Sequence, residues 1–277
     1  MNRLAAQVSG VALLFSLCSP ALAADCKYSS DRAANFAGQI KKVVVSASSG
    51  YLNIRGDAAG GVRAKGRACA SSEALLGKVA LESRREADTV YLTVVMGEGM
   101  GDMFSFNRYS SLDLDVTVPK DAQLDVTDSS GDLELSDVGP AIVVDSSGDL
   151  LLKNITGKLD VSDSSGDLRV MGVTGNIEVT DSSGDIDIED VRGDVKIVSD
   201  SSGDISIAKV SGNAHVVEDS TGTITIREVK FNVTVDKDSS GDINVSEVGG
   251  KFSVGADSSG HILHDRVSGG VRIPAKI

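Results

Sequence analysis

The 277-residue chain has no tryptophan, three histidines and only 4 % aromatic residues, so it lacks the means for aromatic stacking platforms and for most nucleophile–base pairs. Its 40 acidic residues outnumber 27 basic ones for a net charge of −13, which disfavours nucleic acid and anionic lipid as partners and favours divalent cations or basic surfaces.

The first residues read as an export leader over 1–23. Arg3 gives the positive start, Val11 to Leu17 the apolar stretch, and Ala21-Leu22-Ala23 the small-residue cleavage site. Cys18 is no lipid-attachment cysteine, because Phe15-Ser16-Leu17 lacks the small residues needed before it. No later segment approaches the roughly 20 apolar residues that span a bilayer, so the mature chain is expected to be soluble and outside the cytoplasm, either periplasmic or at or beyond the cell surface. Without the leader the balance is 26 basic to 40 acidic residues, a net charge of −14. An acidic surface also simply keeps an exported protein in solution. In an oxidising compartment Cys26 and Cys69 are expected to pair, closing a loop that stabilises by about 3 to 4 kcal/mol in the chain-entropy picture.

Residues 24–42 form an N-terminal segment and cap. Residues 43–119 read as irregular β coils: Val43 to Ile54 carries A-S-S-G, and Leu112 to Val118 alternates cleanly. Between them, Ser71 to Glu86 holds the one pattern able to make a turn or two of helix, although strand is preferred there. Met96 to Ser110, rich in Gly and Met and containing Phe104 and Phe106, reads as a protruding loop.

From 120 to 277 the chain repeats. D-S-S-G, with one conservative variant, begins at Asp128, Asp145, Asp163, Asp181, Asp200, Asp219, Asp238 and Asp257, at steps of 17 to 19 residues. A unit this short cannot bury an apolar face alone, so copies must stack as the coils of a solenoid. The second residue after each repeat glycine is always aliphatic, from Leu133 to Ile262. The fourth is aliphatic until His264, and the seventh is always aliphatic, from Val138 to Val267. Short alternating runs rich in β-branched residues indicate strands with one face inward. A second glycine lies nine residues after the first in most copies, so each coil is two strand-and-turn halves. The extra residue of the longest coils falls beside the aspartate, where it preserves the inward face. The fold expected is all-β: a single-chain parallel β-solenoid, taken as right-handed, with a capping element at each end. The cap candidates are the cysteine-bearing N-terminal segment and the charged tail from His264 to Lys276.

Stacked coils place the aspartates in a column with about 4.8 Å between them. Like charges at that distance repel by about 1 kcal/mol in water, so an exposed column is tolerable and a buried one is not. Three roles are open for it. The aspartates can accept hydrogen bonds from the amides of their own turns while the serines bond along the stack and the glycines take positive φ. Carboxylate pairs, Asp128 with Asp132, Asp145 with Asp149, Asp163 with Asp167 and Asp181 with Asp185, can hold calcium between coils, although the G-G-x-G-x-D pattern of calcium-binding β-rolls is missing. Or the corner can be a recognition surface for sugars or envelope polymers, with no aromatic platform in its favour.

No catalytic residue is assigned. His215 stands alone, while strand spacing turns His261 outward and His264 inward, away from a shared metal. R-G-D at Arg55-Gly56-Asp57 and Arg192-Gly193-Asp194, and N-x-S/T at Asn154, Asn232 and Asn244, are accidental in a chain so rich in Gly and Asp.

The V-T-V-P step at Val116 to Pro119, followed by L-D-V-T-D-S-S-G-D at Leu124 to Asp132 and its recurrences, resembles a bacterial group of exported β-strand-repeat, adhesin-like proteins. That group is a domain of unknown function related to the head-GIN adhesin-like domain. The resemblance covers roughly Val43 to Ile277. It implies a parallel β-solenoid in the cell envelope and brings no agreed catalytic residues. The reading is therefore a non-enzymatic exported solenoid that binds or scaffolds an envelope or extracellular protein or polysaccharide. The alternative is a calcium-dependent, polysaccharide-binding or polysaccharide-active β-helix.

Overall fold

A computed structural model describes residues 26–97 and 108–274. The expected leader, Cys18 and most of the expected 96–110 loop lie outside the described residues. Two 12-stranded sheets face one another, and nearly all buried aliphatic side chains lie between them.

The regular stack opens with strands that follow the chain in order. To number them, the earlier strands come first: β1 (Tyr28–Phe36), β2 (Lys42–Ser46), β3 (Leu52–Asp57), β4 (Val62–Ala70), helix α1 (Glu73–Leu76), β5 (Ala80–Glu86), β6 (Thr89–Val95) and β7 (Ser110–Pro119). The coils are then β8 (Gln123–Thr127) with β9 (Leu133–Ser136), β10 (Ala141–Val144) with β11 (Leu150–Ile155), and β12 (Leu159–Ser162) with β13 (Leu168–Val173). They continue as β14 (Ile177–Thr180) with β15 (Ile186–Val191), β16 (Val195–Ser199) with β17 (Ile205–Val210), and β18 (Ala214–Asp219) with β19 (Ile224–Val229). Last come β20 (Val233–Asp238) with β21 (Ile243–Val248), β22 (Phe252–Asp257) with β23 (Ile262–Val267), and the short β24 (Val271–Arg272).

Even-numbered strands from β8 to β24 build one sheet and odd-numbered strands from β9 to β23 the other, every pair parallel. Leu150, Leu168, Ile186, Ile205, Ile224, Ile243 and Ile262 pair successively, one above the next. The first six are buried and Ile262, at the end of the stack, is half-buried. The like-over-like register expected from the repeat is therefore the architecture.

The jump from the fourth to the seventh inward residue breaks the two-residue period of a strand. One residue in each coil absorbs it: Asp137, Asn154, Gly172, Asp190, Lys209, Glu228, Glu247 and Arg266 have φ between 49° and 74°. The ladder skips that position, pairing Lys153 with Met171 and then Ile155 with Val173. A left-handed residue thus acts as a bulge that returns the next side chain to the core.

The N-terminal part departs from the expectation of successive windings. The coil β2–β3 lies between β8–β9 on one side and β6–β7 on the other, so the stack is out of chain order here. Beyond β6 and β7 the sheets become antiparallel, with β5 on β6, β4 on β7 and β1 on β4. Antiparallel strands can be joined by short turns, so the chain closes this end without another full winding. The segment from Ser71 to Glu86, expected as strand, is split. Ser72 caps the four-residue helix by accepting from the Leu75 amide, and β5 follows.

The guanidinium of Arg32 donates to the carbonyls of Val79, at 2.7 and 2.9 Å, and of Leu76, at 3.2 Å, fastening β1 to the turn that follows the helix. Cys26 and Cys69 form a disulfide with their Cα atoms 5.6 Å apart, tying the start of β1 to β4. Among the described residues the other end finishes on β24, which adds two residues, and His264 occupies the slot of Val245 yet is exposed.

Candidate functional site

In the shorter coils the inward positions of the returning strand run Leu159, Val161 and then Asp163, so strand alternation itself aims the repeat aspartate into the protein. The column expected to be exposed is buried: Asp128, Asp145, Asp163, Asp181, Asp200, Asp219 and Asp238 have 0 to 4 % of their surface accessible.

Their turns hold them through backbone amides. Ser129 donates to Asp128 at 2.8 Å, Ser164 and Ser165 to Asp163 at 2.7 and 3.3 Å, and Ser202 to Asp200 at 3.2 Å. The second oxygen of each of these three has no partner, and at Asp145, Asp181, Asp219 and Asp238 neither oxygen makes a well-formed hydrogen bond. Burial raises the pKa of all seven, against the opposing pull of the turn amides. With neighbouring aspartates adding to it, the value reaches about 6 at Asp145, Asp181 and Asp238 and about 7 at Asp219.

The rest of the turn holds the stack together. The second serine or its threonine replacement donates to the first serine's carbonyl one coil back, as in Ser147 to Ser129 at 3.2 Å, Thr221 to Ser201 at 3.1 Å and Ser240 to Ser220 at 3.1 Å. Gly184 has φ +131°, and a Cβ there would lie 1.8 Å from the Gly166 carbonyl oxygen, so only glycine lets successive turns nest.

Asp132, Asp149, Asp167 and Asp185 are the outer members of the expected calcium pairs. They sit outside the corner, where each carboxylate accepts the amide of its counterpart one coil on: Asp149 to Asp132 at 3.2 Å, Asp167 to Asp149 at 3.1 Å, Asp185 to Asp167 at 3.1 Å and Asp204 to Asp185 at 2.9 Å. Among the described residues no group of three or more His, Cys, Asp or Glu could hold a metal ion. His215 pairs with Asp236 at 2.7 Å, His261 with Asp242 at 3.3 Å, and His264 tilts against Phe252 with ring centres 6.3 Å apart. The aspartates of both R-G-D triplets are engaged, Asp57 by Arg63 and Asp194 by Asn213.

The opposite corner carries a ladder that sequence reading passed over. Asn176 accepts from the Asp194 amide at 3.0 Å, Asp194 from Asn213 at 2.7 Å, Asn213 from Asn232 at 3.1 Å and Asn232 from Lys251 at 2.9 Å. Its signal was the polar residue directly after the second glycine.

Beside the bulge residues an open groove of 730 Å³ runs across the coils, lined by Thr156, Thr174, Arg192, Ser211 and Lys230 in one row and by Asn154, Asp190, Lys209 and Glu228 in the next. Lys209 is held by Glu189 at 2.6 Å and Glu228 by Arg227 at 2.6 Å, whereas the ammonium of Lys230 lies 5.6 Å from the Phe231 ring centre.

Stacked coils, two facing and mostly parallel sheets, and polar ladders at both corners define an all-β repeat protein, a β-solenoid. The chain belongs to the Toastrack DUF4097 family, a domain of unknown function whose pattern matches residues 76–273. Comparison with curated proteins gives no significant match. Among solved structures the chain is similar to a "putative lipid binding protein" from Parabacteroides distasonis, at 16 % identity and TM-score 0.52, over 90 % of this chain and 98 % of that one. It is also similar to a "putative adhesin" from Bacteroides fragilis, at 13 % identity and TM-score 0.47, again over 90 % and 98 % of the two chains. At 16 % identity the first of these likenesses concerns the fold alone. Among the described residues no helix is long and apolar enough to cross a membrane.

Proposed function

We propose that this protein is a non-enzymatic, exported β-solenoid that serves in the cell envelope as a rigid binding or scaffolding element, taking an envelope or extracellular protein or polysaccharide along its groove. The observation that carries this reading is the division of labour among its polar side chains. The repeated Asp, Asn, Ser and Thr are spent on holding coils together, and the groove beside the bulges is where hydroxyls and cations are left facing outward in a row. Arg192 and Lys230 stand two coils apart in that row, about 10 Å at the spacing of adjacent strands, with Ser211 between them. Rigid presentation of polar groups lowers the ordering cost of binding an extended partner.

The test is binding of the mature chain to envelope fractions and to isolated envelope polysaccharides, beside an Arg192→Glu/Lys230→Glu variant. A loss of about tenfold or more in affinity supports the groove, since tenfold corresponds to about 1.4 kcal/mol for the two substitutions together. Unchanged retention removes the groove from the reading, and turnover of any polysaccharide removes the non-enzymatic part. For the calcium-dependent alternative, the described residues bring no three His, Cys, Asp or Glu together, which is why it stands second.

A further inference from the structure

We propose that the buried aspartate column is a proton-binding stack, in which carboxyls of successive coils share protons and the stability of the solenoid is tied to their occupancy. This goes beyond the binding role and is independent of the groove.

The geometry sets the problem. Asp200, Asp219, Asp238 and Asp257 are paired in register, one directly above the next, and the first three have 0 to 1 % of their surface accessible. Strand spacing brings their carboxyls within about 4.8 Å, and side-chain freedom closes that gap to the 2.5–3.0 Å of an O–H···O hydrogen bond. At Asp145, Asp181, Asp219 and Asp238 neither oxygen has a well-formed hydrogen-bond donor, and at Asp128, Asp163 and Asp200 one of the two has none.

The groups facing the column offer no counter-charge. From their own turns the aspartates receive only serine amides. From the coils above and below come other aspartates: Asp128 and Asp163 act on Asp145, Asp163 and Asp200 on Asp181, Asp200 and Asp238 on Asp219, and Asp257 on Asp238. From the outer corner Asp149 acts on Asp163 and Asp185 on Asp200. The flanking inward positions on both sheets are aliphatic, for example Val216 and Ile224 beside Asp219. Every charge so placed is negative, and a buried carboxylate without a counter-ion takes up a proton instead.

A cation in each gap would find two carboxylates and aliphatic walls, well short of the six to eight oxygens that calcium takes. A proton needs only two. Two ionised carboxylates cannot hydrogen-bond, but one protonated and one ionised can, and Asp219 and Asp238, paired in register and both buried, are placed for it. As in other carboxyl dyads the protons then belong to the column and not to single residues.

The sign follows from linkage. The upward shifts, from 3.8 to about 6 or 7 at four of the seven, mean that the folded chain holds protons that the unfolded chain has already released. Stability therefore rises as pH falls from about 7 towards about 4, and is lost as pH rises through the folded values.

The decisive experiment uses the mature wild-type chain, unfolded by urea at pH 6 in weak buffer with the proton balance recorded. Release of about two or more protons per molecule is expected; no release, or uptake, overturns the proposal. Urea midpoints from pH 4.5 to 8.5, with calcium and with chelator, give the second readout. A midpoint that falls with rising pH in chelator supports the stack. A pH-independent midpoint, or one set by calcium, overturns it. In Asp181→Asn the amide supplies the hydrogen that the proton otherwise brings, so the pH slope should shrink. An undiminished slope in a folded variant counts against the proposal, and should the variant not fold, the wild-type proton count decides alone.

Discussion

Asp219 and Asp238 sit one above the other on consecutive coils, both sealed from solvent, with carboxyls close enough for one proton to join them. An arrangement that would be costly if both were ionised is repeated along the stack, and it makes a definite demand on the chemistry of position 219. Asp219→Asn removes the most strongly shifted group and supplies an amide hydrogen to its neighbours. At pH 8 it is expected to raise stability by on the order of 2 kcal/mol, with little change at pH 5 where the column is already protonated. Urea denaturation at the two pH values checks this. Exposed carboxylates limit the acid side: hydrogen bonds hold Asp88, with Lys41, and Glu189, with Lys209, below their ordinary range, so their stabilising effect is lost as pH falls through those lowered values.

The turn glycines are the least replaceable residues of the coil. Gly184→Ala puts a methyl 1.8 Å from the Gly166 carbonyl oxygen at a φ of +131°, where the parallel ladders on both sides prevent the turn from drifting. A loss of more than about 4 kcal/mol is expected, beyond the usual range for a point change. Gly60→Ala is the control, because its φ is +72° but nothing lies within 4 Å of the added carbon, and about 1 kcal/mol should be lost. Thermal melts followed by circular dichroism separate the two. Equal effects would mean that the nesting of turns is unimportant.

Ile205 and Asp204 are neighbours on opposite sides of the same strand start. Ile205 is buried between Ile186 and Ile224, and Ile205→Asp forces an unpaired charge among aliphatic side chains at a cost of several kcal/mol. Asp204 lies outside, accepting the Thr223 amide at 2.8 Å, a role that an asparagine oxygen also fills, so Asp204→Asn should cost less than about 1 kcal/mol. Hydrogen exchange should show the middle coils opening in the first variant only.

Much of this is legible in the sequence, and for one reason: a period of 17 to 19 residues with aliphatic residues at fixed offsets leaves few ways to bury them. Leu150, Leu168 and Ile186 face inward as the offsets require. The buried aspartates were legible too, since L-x-V-x-D continues the inward parity at Leu159, Val161 and Asp163, but the cost of burying charge argued the other way and parity won. The out-of-order coil β2–β3 was not legible, because which strand edge a winding joins depends on pairing across long stretches of chain that local pattern does not encode.

The asparagine corner lay in plain view as the residue after the second glycine, unread because a polar residue in a turn has many ordinary explanations. Asn213 there accepts the Asn232 amide at 3.1 Å and donates to Asp194 at 2.9 Å. Asn213→Ala should cost about 1 to 3 kcal/mol by leaving these groups unmatched, with Asn213→Asp milder because it keeps the acceptor. Denaturation midpoints of the pair check it, and equal losses would show that the acceptor is not what matters.

The disulfide joins the last antiparallel strand to the end of the stack that is out of chain order, so its loss should be felt locally. Cys69 lies in β4, and Tyr28, two residues after Cys26, is paired with Ala70 in the same strand. Reduction, or Cys26→Ser/Cys69→Ser, should lower stability by about 4 kcal/mol in the chain-entropy picture and loosen β1 against β4. In a stack where each coil touches only its neighbours, that loosening should fade within a coil or two. Hydrogen exchange on the reduced protein should therefore rise across Tyr28–Phe36 while Ile205–Val210 and Ile224–Val229 stay protected. Exchange that rises evenly along the molecule would mean that the N-terminal cap governs the whole solenoid as one cooperative unit.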